Sequence, residues 1–143
     1  MEIRVIESAD GLNHLALSGR LDLAGTQAIE ARFAELTTGA KKTAIVDLRE
    51  VTFLASLGMR MLVSSARALL KSSARLVLLG PRPSVRLALE GAGLNSILPI
   101  ANDDGEAIAL ATLELDARDR RSLIARIARQ KRRRVYGTSD RQG

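Results

Sequence analysis

Thr43-Ala44-Ile45-Val46-Asp47-Leu48-Arg49-Glu50-Val51-Thr52-Phe53-Leu54-Ala55-Ser56-Leu57-Gly58-Met59 decides how this chain folds. Ala44 to Leu48 is apolar apart from a late aspartate, which predicts a central strand covered on both faces. Residues 49–55 then read as a short loop. Beyond Ser56, the residues Leu62, Val63, Ala66, Leu69 and Leu70 make one stripe at helical spacing, closed by Ser72-Ser73. One hydroxyl, Ser56, stands at the strand–helix junction with no general base beside it. Such a position suits a switch better than a catalyst. Serine is also a preferred helix N-cap, and the two uses are compatible.

Working towards the N-terminus, Ile3 to Glu7 and Leu12 to Ser18 flank an Asp10-Gly11 turn signal and predict a hairpin. Gly19-Arg20-Leu21-Asp22 breaks the second strand. A helix carrying Ile29, Phe33 and Leu36 follows, with Thr26 or Asp22 as its cap, and ends before Gly39. Towards the C-terminus, Arg75 to Leu79 is a second buried strand closed by Gly80-Pro81. Pro83 suits the first turn of a helix whose apolar face is Val85, Ala88, Leu89 and Ala92. Ser96 to Ile100 contains a proline and reads as an edge strand. Asp103 and Glu106 form a capping-box pattern, opening a helix that ends at Leu110 or runs on to Leu115. The order β-β-α-β-α-β-α-β-α predicts an α/β domain, with a mixed sheet of about five strands and about four helices. It spans residues 1–115 and is followed by a basic C-terminal extension, 116–143.

Composition narrows the function. Apolar residues make up 46% of the 143, enough for a core, and only 2% are aromatic, so that core is aliphatic. There is no cysteine and a single histidine, His14, which argues against thiolate or histidine metal sites and against a catalytic triad. His14 sits in an alternating strand and reads as a surface or edge residue. No phosphate-cradling glycine loop and no nucleophile elbow is present, so neither an enzyme nor a cofactor is expected. Without a signal peptide or an apolar run of membrane-spanning length, the expected location is cytoplasmic. The net charge of +6 is divided unevenly. Residues 1–116 carry 12 Lys/Arg against 14 Asp/Glu, or −2; residues 117–143 carry 10 against 2, or +8.

The central stretch resembles the signature of the STAS domain, as found in bacterial anti-sigma factor antagonists. In that family an apolar strand ending in Asp-Leu/Phe runs through x-x-Val-x-Phe-Met/Ile-Asp-Ser-Ser/Thr-Gly-Leu into a helix. Here the match is Val46-Asp47-Leu48 through Val51-Thr52-Phe53-Leu54-Ala55-Ser56-Leu57-Gly58-Met59. Gly19-Arg20-Leu21-Asp22 resembles the family's Gly-x-Leu-Asp, and Val85 to Leu94 its late helix and turn. The resemblance covers residues 1–114 and implies a STAS-type fold. It also implies binding to an anti-sigma factor that is a serine kinase of the GHKL ATPase type, with release on phosphorylation of a loop hydroxyl. Two positions depart from the pattern. The aspartate before the hydroxyl pair is Ala55, and the second hydroxyl is Leu57. Ser56 is therefore the phosphorylation candidate, and Asp22, Ala55, Ser56, Leu57, Gly58 and Met59 are the partner-binding candidates. Gly58 serves either close helix packing or close approach of a partner.

The changed loop keeps a second reading open: a non-phosphorylated STAS scaffold, or a subunit of a signalling or lipid-transport complex. A third rests on the extension, where Arg126, Arg129, Lys131, Arg132, Arg133 and Arg134 accompany a stripe of Leu123, Ile124, Ile127 and Ala128. This is either a basic amphipathic helix for an anionic partner (nucleic acid, a membrane surface or an acidic protein) or a solvated, partly disordered tail.

Overall fold

The computed structural model describes residues 1–9 and 12–112; the Asp10-Gly11 turn and the basic extension, with its six candidate residues, lie outside them. Five strands and four α-helices follow in the expected order: β1 Glu2–Ala9, β2 Leu12–Leu21, α1 Leu23–Ala34, β3 Thr43–Leu54, α2 Ser56–Lys71, β4 Leu76–Leu79, α3 Pro83–Gly91, β5 Ile100–Ala101 and α4 Asp104–Ala111. The sheet runs β1-β2-β3-β4-β5, with β1 antiparallel to β2 and all other pairs parallel.

The strand alternation divides the core between the two faces of this sheet. Leu15, Leu17, Leu21, Val46, Leu48, Leu76 and Leu78 pack with Ile29 and Phe33 of α1, Leu62, Ala66 and Leu69 of α2, and Val85 and Leu89 of α3. Ile45, Val77, Leu79 and Ala101 meet Ala107 and Ala111 of α4 on the other face. β3 and β4 are therefore apolar on both sides, as the continuous run Ala44 to Val46 requires.

Several expectations are corrected. β3 does not end at Leu48 but continues to Leu54. Its partner β4 pairs only as far as Asp47, whereas β2 continues to Leu21, opposite Leu54, and carries the second half of the strand. With one flank open, Arg49, Glu50, Thr52 and Phe53 are exposed while Val51 and Leu54 still turn inward. The cap of α1 is Asp22, not Thr26: Asp22 Oδ1 accepts from the Gly25 amide at 2.8 Å, and Thr26 is buried. Ser96 belongs to a 3-10 turn, Leu94–Ser96, and the last strand is only Ile100–Ala101, because Pro99 offers no amide to the ladder. His14 is not at an edge. It lies on the inner strand β2, between Glu7 and Ile45, with Nε2 buried.

Other local signals hold. Pro83 is the first residue of α3. The Glu106 amide donates to Asp103 Oδ1 at 2.8 Å, and Glu106 Oε1 reaches back to the Asn102 amide, also at 2.8 Å. Arg75, read from sequence as a strand residue, is a buried cation. Its Nη1 donates to the carbonyls of Leu110 at 3.3 Å and Ala111 at 2.9 Å, closing the C-terminal end of α4.

Candidate functional site

The junction between β3 and α2 is built by β2. After Leu54 the Ala55 amide donates to the Leu21 carbonyl at 2.9 Å, so the chain stays registered against β2 until the helix begins. Ala55 is extended (φ −98°, ψ 174°) and occupies the N-cap position. Its carbonyl accepts from Met59 at 3.0 Å, but a methyl cannot accept from the next amides. Ser56 is thus the first residue of α2 and not its cap, which corrects one reading of the sequence. It is exposed, and its hydroxyl makes no hydrogen bond among the described residues. The amides of Ser56, Leu57 and Gly58 lack intrahelical acceptors, as in any first turn. They give this end of α2 the partial positive charge of a helix N-terminus.

Gly58 settles the choice left open for it. A Cβ there would lie 3.0 Å from Leu21 Cβ and Leu54 Cδ1 and 3.1 Å from the Leu21 carbonyl oxygen. Gly58 is buried and seats α2 against the ends of β2 and β3. Met59 is half-buried and packs against the main core. Leu57 turns into a groove of about 370 Å³ between α1 and α2, lined also by Glu30, Phe33, Arg60, Met61 and Ser65.

Asp22 is brought beside the junction because its neighbour Leu21 pairs with Leu54 and accepts from Ala55. Its carboxylate holds the Gly25 amide and lies 3.3 Å from Arg20 Nε. The Gly25 hydrogen bond, aided by Arg20, holds the Asp22 pKa below its ordinary value. Arg20 in turn stands 4.4 Å over the Phe53 ring. Phe53 is 41% exposed and Leu23, at the start of α1, is 61% exposed. These two apolar side chains were not among the sequence candidates. Nothing in the local pattern marks Phe53 as exposed, because the pairing of β3 with β2 shifts register between Val51 and Phe53 and breaks the simple alternation.

A second charged cluster ties down the other side of β3. Burial pushes the Asp47 carboxyl up, but hydrogen bonds from the Arg49 side chain and amide outweigh it, and the net pKa is lowered. Arg49 also reaches Asp104 at 3.4 Å and lies across Gly80, which has φ +60°. Asp22 and Asp47 make a pH prediction. Both folded pKa values lie below the unfolded value of 3.8, so their stabilisation is full above that pH and is lost as pH falls through the lowered values. Thermal melts are expected to be flat from neutral pH down to about 4.5 and to fall below it. A midpoint unchanged down to pH 2 would contradict both assignments.

The uncapped start of α2 makes another. Ala55→Asp supplies an acceptor for the Leu57 and Gly58 amides. It is expected to stabilise the domain by about 1 kcal/mol, raising the melting temperature by about 4 °C. An unchanged midpoint would mean that the first turn is already satisfied.

The family model described as "Mlab, STAS domain" matches residues 6–99. The chain belongs to the STAS domain family. A curated relative in Bordetella bronchiseptica, BtrV, whose name describes it as an anti-sigma factor antagonist, is 29% identical over 104 residues, spanning 73% of this chain and 90% of that one. Among solved structures, an anti-sigma factor antagonist from Mycobacterium paratuberculosis superimposes with a TM-score of 0.67 at 22% identity, over 77% of this chain and 94% of that one. Unphosphorylated SpoIIAA, also an anti-sigma factor antagonist, gives 0.63 at 23%, over 76% and 95%. At such identities the two structures speak for the fold. Together these matches agree on a STAS domain with the fold described above. Among the described residues no helix is long and apolar enough to cross a membrane.

Proposed function

We propose that this protein is a phosphorylation-switched anti-sigma factor antagonist that binds an anti-sigma factor/serine kinase of the GHKL ATPase type, with Ser56 as phosphoacceptor. The observation that carries the reading is the exposed, unbonded Ser56 hydroxyl on the uncapped first turn of α2. A phosphate there adds nearly two negative charges, which the helix N-terminus tolerates. A partner packed over Leu23, Phe53 and Leu57 does not tolerate them, because it would have to bury the charge beside apolar side chains. Unmodified, the loop is neutral and the partner docks; phosphorylated, it is repelled. SpoIIAA, which shares the fold, has been solved in a phosphorylated form, so this fold holds a phosphate without losing its architecture.

Asp22, Ala55, Leu57, Gly58 and Met59 have different parts in this reading. Asp22, Leu57 and the exposed side of Ala55 face the partner. Gly58 and the inner side of Met59 fix the height of α2 beneath it. The test compares phosphorylation of wild type and Ser56→Ala, with ATP, by the kinase-type partner that wild type retains from native-host lysate. Phosphate is expected on wild type alone, mapped to Ser56. Equal labelling of Ser56→Ala would move the acceptor elsewhere and sink the assignment.

A second reading is favoured by Leu57, which lines the groove between α1 and α2 and stands at the sequence position of the family's second hydroxyl. In it the chain is a constitutive STAS scaffold that holds its partner without a phosphate cycle. Protein from the native host would then carry no phosphate on Ser56.

A further inference from the structure

Among the described residues β1 is an open edge: it pairs with β2 alone, is eight residues long, and exposes Val5 (39%) and Ile6 (46%). Open edges of that length are ready templates for another strand, and proteins usually shorten, charge or bulge them. This one is charged and bulged, but both devices are arranged so that the strand complements itself.

The register supplies the argument. Arg4 faces Ala16, and Glu7 faces His14, two residues apart on β2, so Arg4 and Glu7 lie on the same face of the sheet. In a regular strand, residues three apart lie on opposite faces; the irregularity between Val5 and Glu7 brings these two together. Ile3 and Ser8, opposite Leu17 and Asn13, share the other face for the same reason. Now take two copies of β1 side by side, antiparallel, about a two-fold axis normal to the sheet between Val5 and Ile6. Such an axis keeps each face on its own side. Arg4 then meets the partner copy's Glu7 twice, Ile3 meets Ser8, and the exposed Val5 meets Ile6. Neither Arg4 nor Glu7 has an ion-pair partner among the described residues, so both are available.

We propose that β1 pairs with β1 of a second copy of this chain, joining two five-stranded sheets into one across Arg4–Glu7 and Val5–Ile6 contacts. The inference does not depend on Ser56 being phosphorylated. Ser56 follows β3, two strands in from this edge, and stays free. The two-fold places the two Ser56 loops at opposite ends of the joined sheet, so the dimer would present two docking sites facing apart.

Sedimentation velocity of the full chain across micromolar to submillimolar concentrations tests this. Wild type is expected to move from 15.4 kDa towards twice that mass as concentration rises. Arg4→Glu and Glu7→Arg each set like charges opposite one another at two places and are expected to weaken association about tenfold or more. The double variant Arg4→Glu/Glu7→Arg restores both pairs with their signs exchanged and should associate within about threefold of wild type. Unchanged circular dichroism confirms that these exposed substitutions leave the fold intact. A wild type that stays at 15.4 kDa throughout, single variants that associate like wild type, or a double variant as weak as the singles would each overturn the pairing.

Discussion

Gly25→Ala is expected to destabilise the domain by about 2–5 kcal/mol, although the same change in an exposed helix usually stabilises by up to about 1 kcal/mol. Gly25 sits in the first turn of α1, where its amide donates to Asp22 Oδ1. A Cβ at this position would collide with the Arg20 carbonyl oxygen and come within 3.1 Å of Asp22 Oδ1. The obstacle is backbone, so no rotamer change relieves it. Either the first turn moves away and the Asp22 cap is lost, or the end of β2 moves and its pairing with Leu54 is disturbed. The cost combines overpacking of about 1–3 kcal/mol with a lost cap of about 1–2 kcal/mol. Against a total stability of about 5–15 kcal/mol this is a large fraction. Urea titration followed by circular dichroism measures it. A midpoint equal to or above that of wild type would mean that the β2–α1 junction is looser than described.

Ser56→Asp is expected to leave the fold intact and to weaken partner binding about 30-fold or more, close to 2 kcal/mol. The two effects separate because the substitution places a carboxylate on the first residue of α2, where the helix N-terminus favours negative charge. Thermal stability should therefore stay equal or rise slightly. The loss falls on the complex, in which Leu23 and Phe53 would face an unpaired anion at the edge of the buried surface. Ser56→Asn is the control. It has nearly the size of aspartate without its charge and should bind within about threefold of wild type. If asparagine and aspartate weaken binding alike, shape is at fault and the electrostatic switch fails.

Elements fixed by local chemistry were legible in the sequence. The apolar run Ala44 to Val46, the proline at Pro83 and the pairing of Asp103 with Glu106 each carried their own signal, and the structure contains each element. Features set by neighbours distant in sequence were not. β3 runs on to Leu54 because β2 is long and β4 is short, which residues 49–54 alone cannot reveal. Asp22 caps α1 in place of Thr26 because the Gly25 amide comes to it across a turn fitted against the Arg20 carbonyl. Arg75 looked like any strand residue, and its task lies at the end of a helix 35 positions later.

The candidate site divides along the same line. Ser56 stood out by motif, and the structure places it exposed on the first turn of α2. That Gly58 packs rather than opens a path, that Leu57 lines a groove and that Phe53 is exposed under Arg20 depends on strand register and helix seating. The single-residue departures, Ala55 and Leu57, were visible from the start. Their consequence, a first turn without a side-chain cap, needed the backbone of Ala55.

The most direct test of the switch is a capture from native-host lysate with wild type and Ser56→Asp as parallel baits, bound proteins being identified by mass spectrometry. Wild type is predicted to retain a kinase-type ATPase that Ser56→Asp does not. Equal capture of the same partner by both baits would contradict a charge-operated switch at Ser56 and leave a constitutive scaffold in its place.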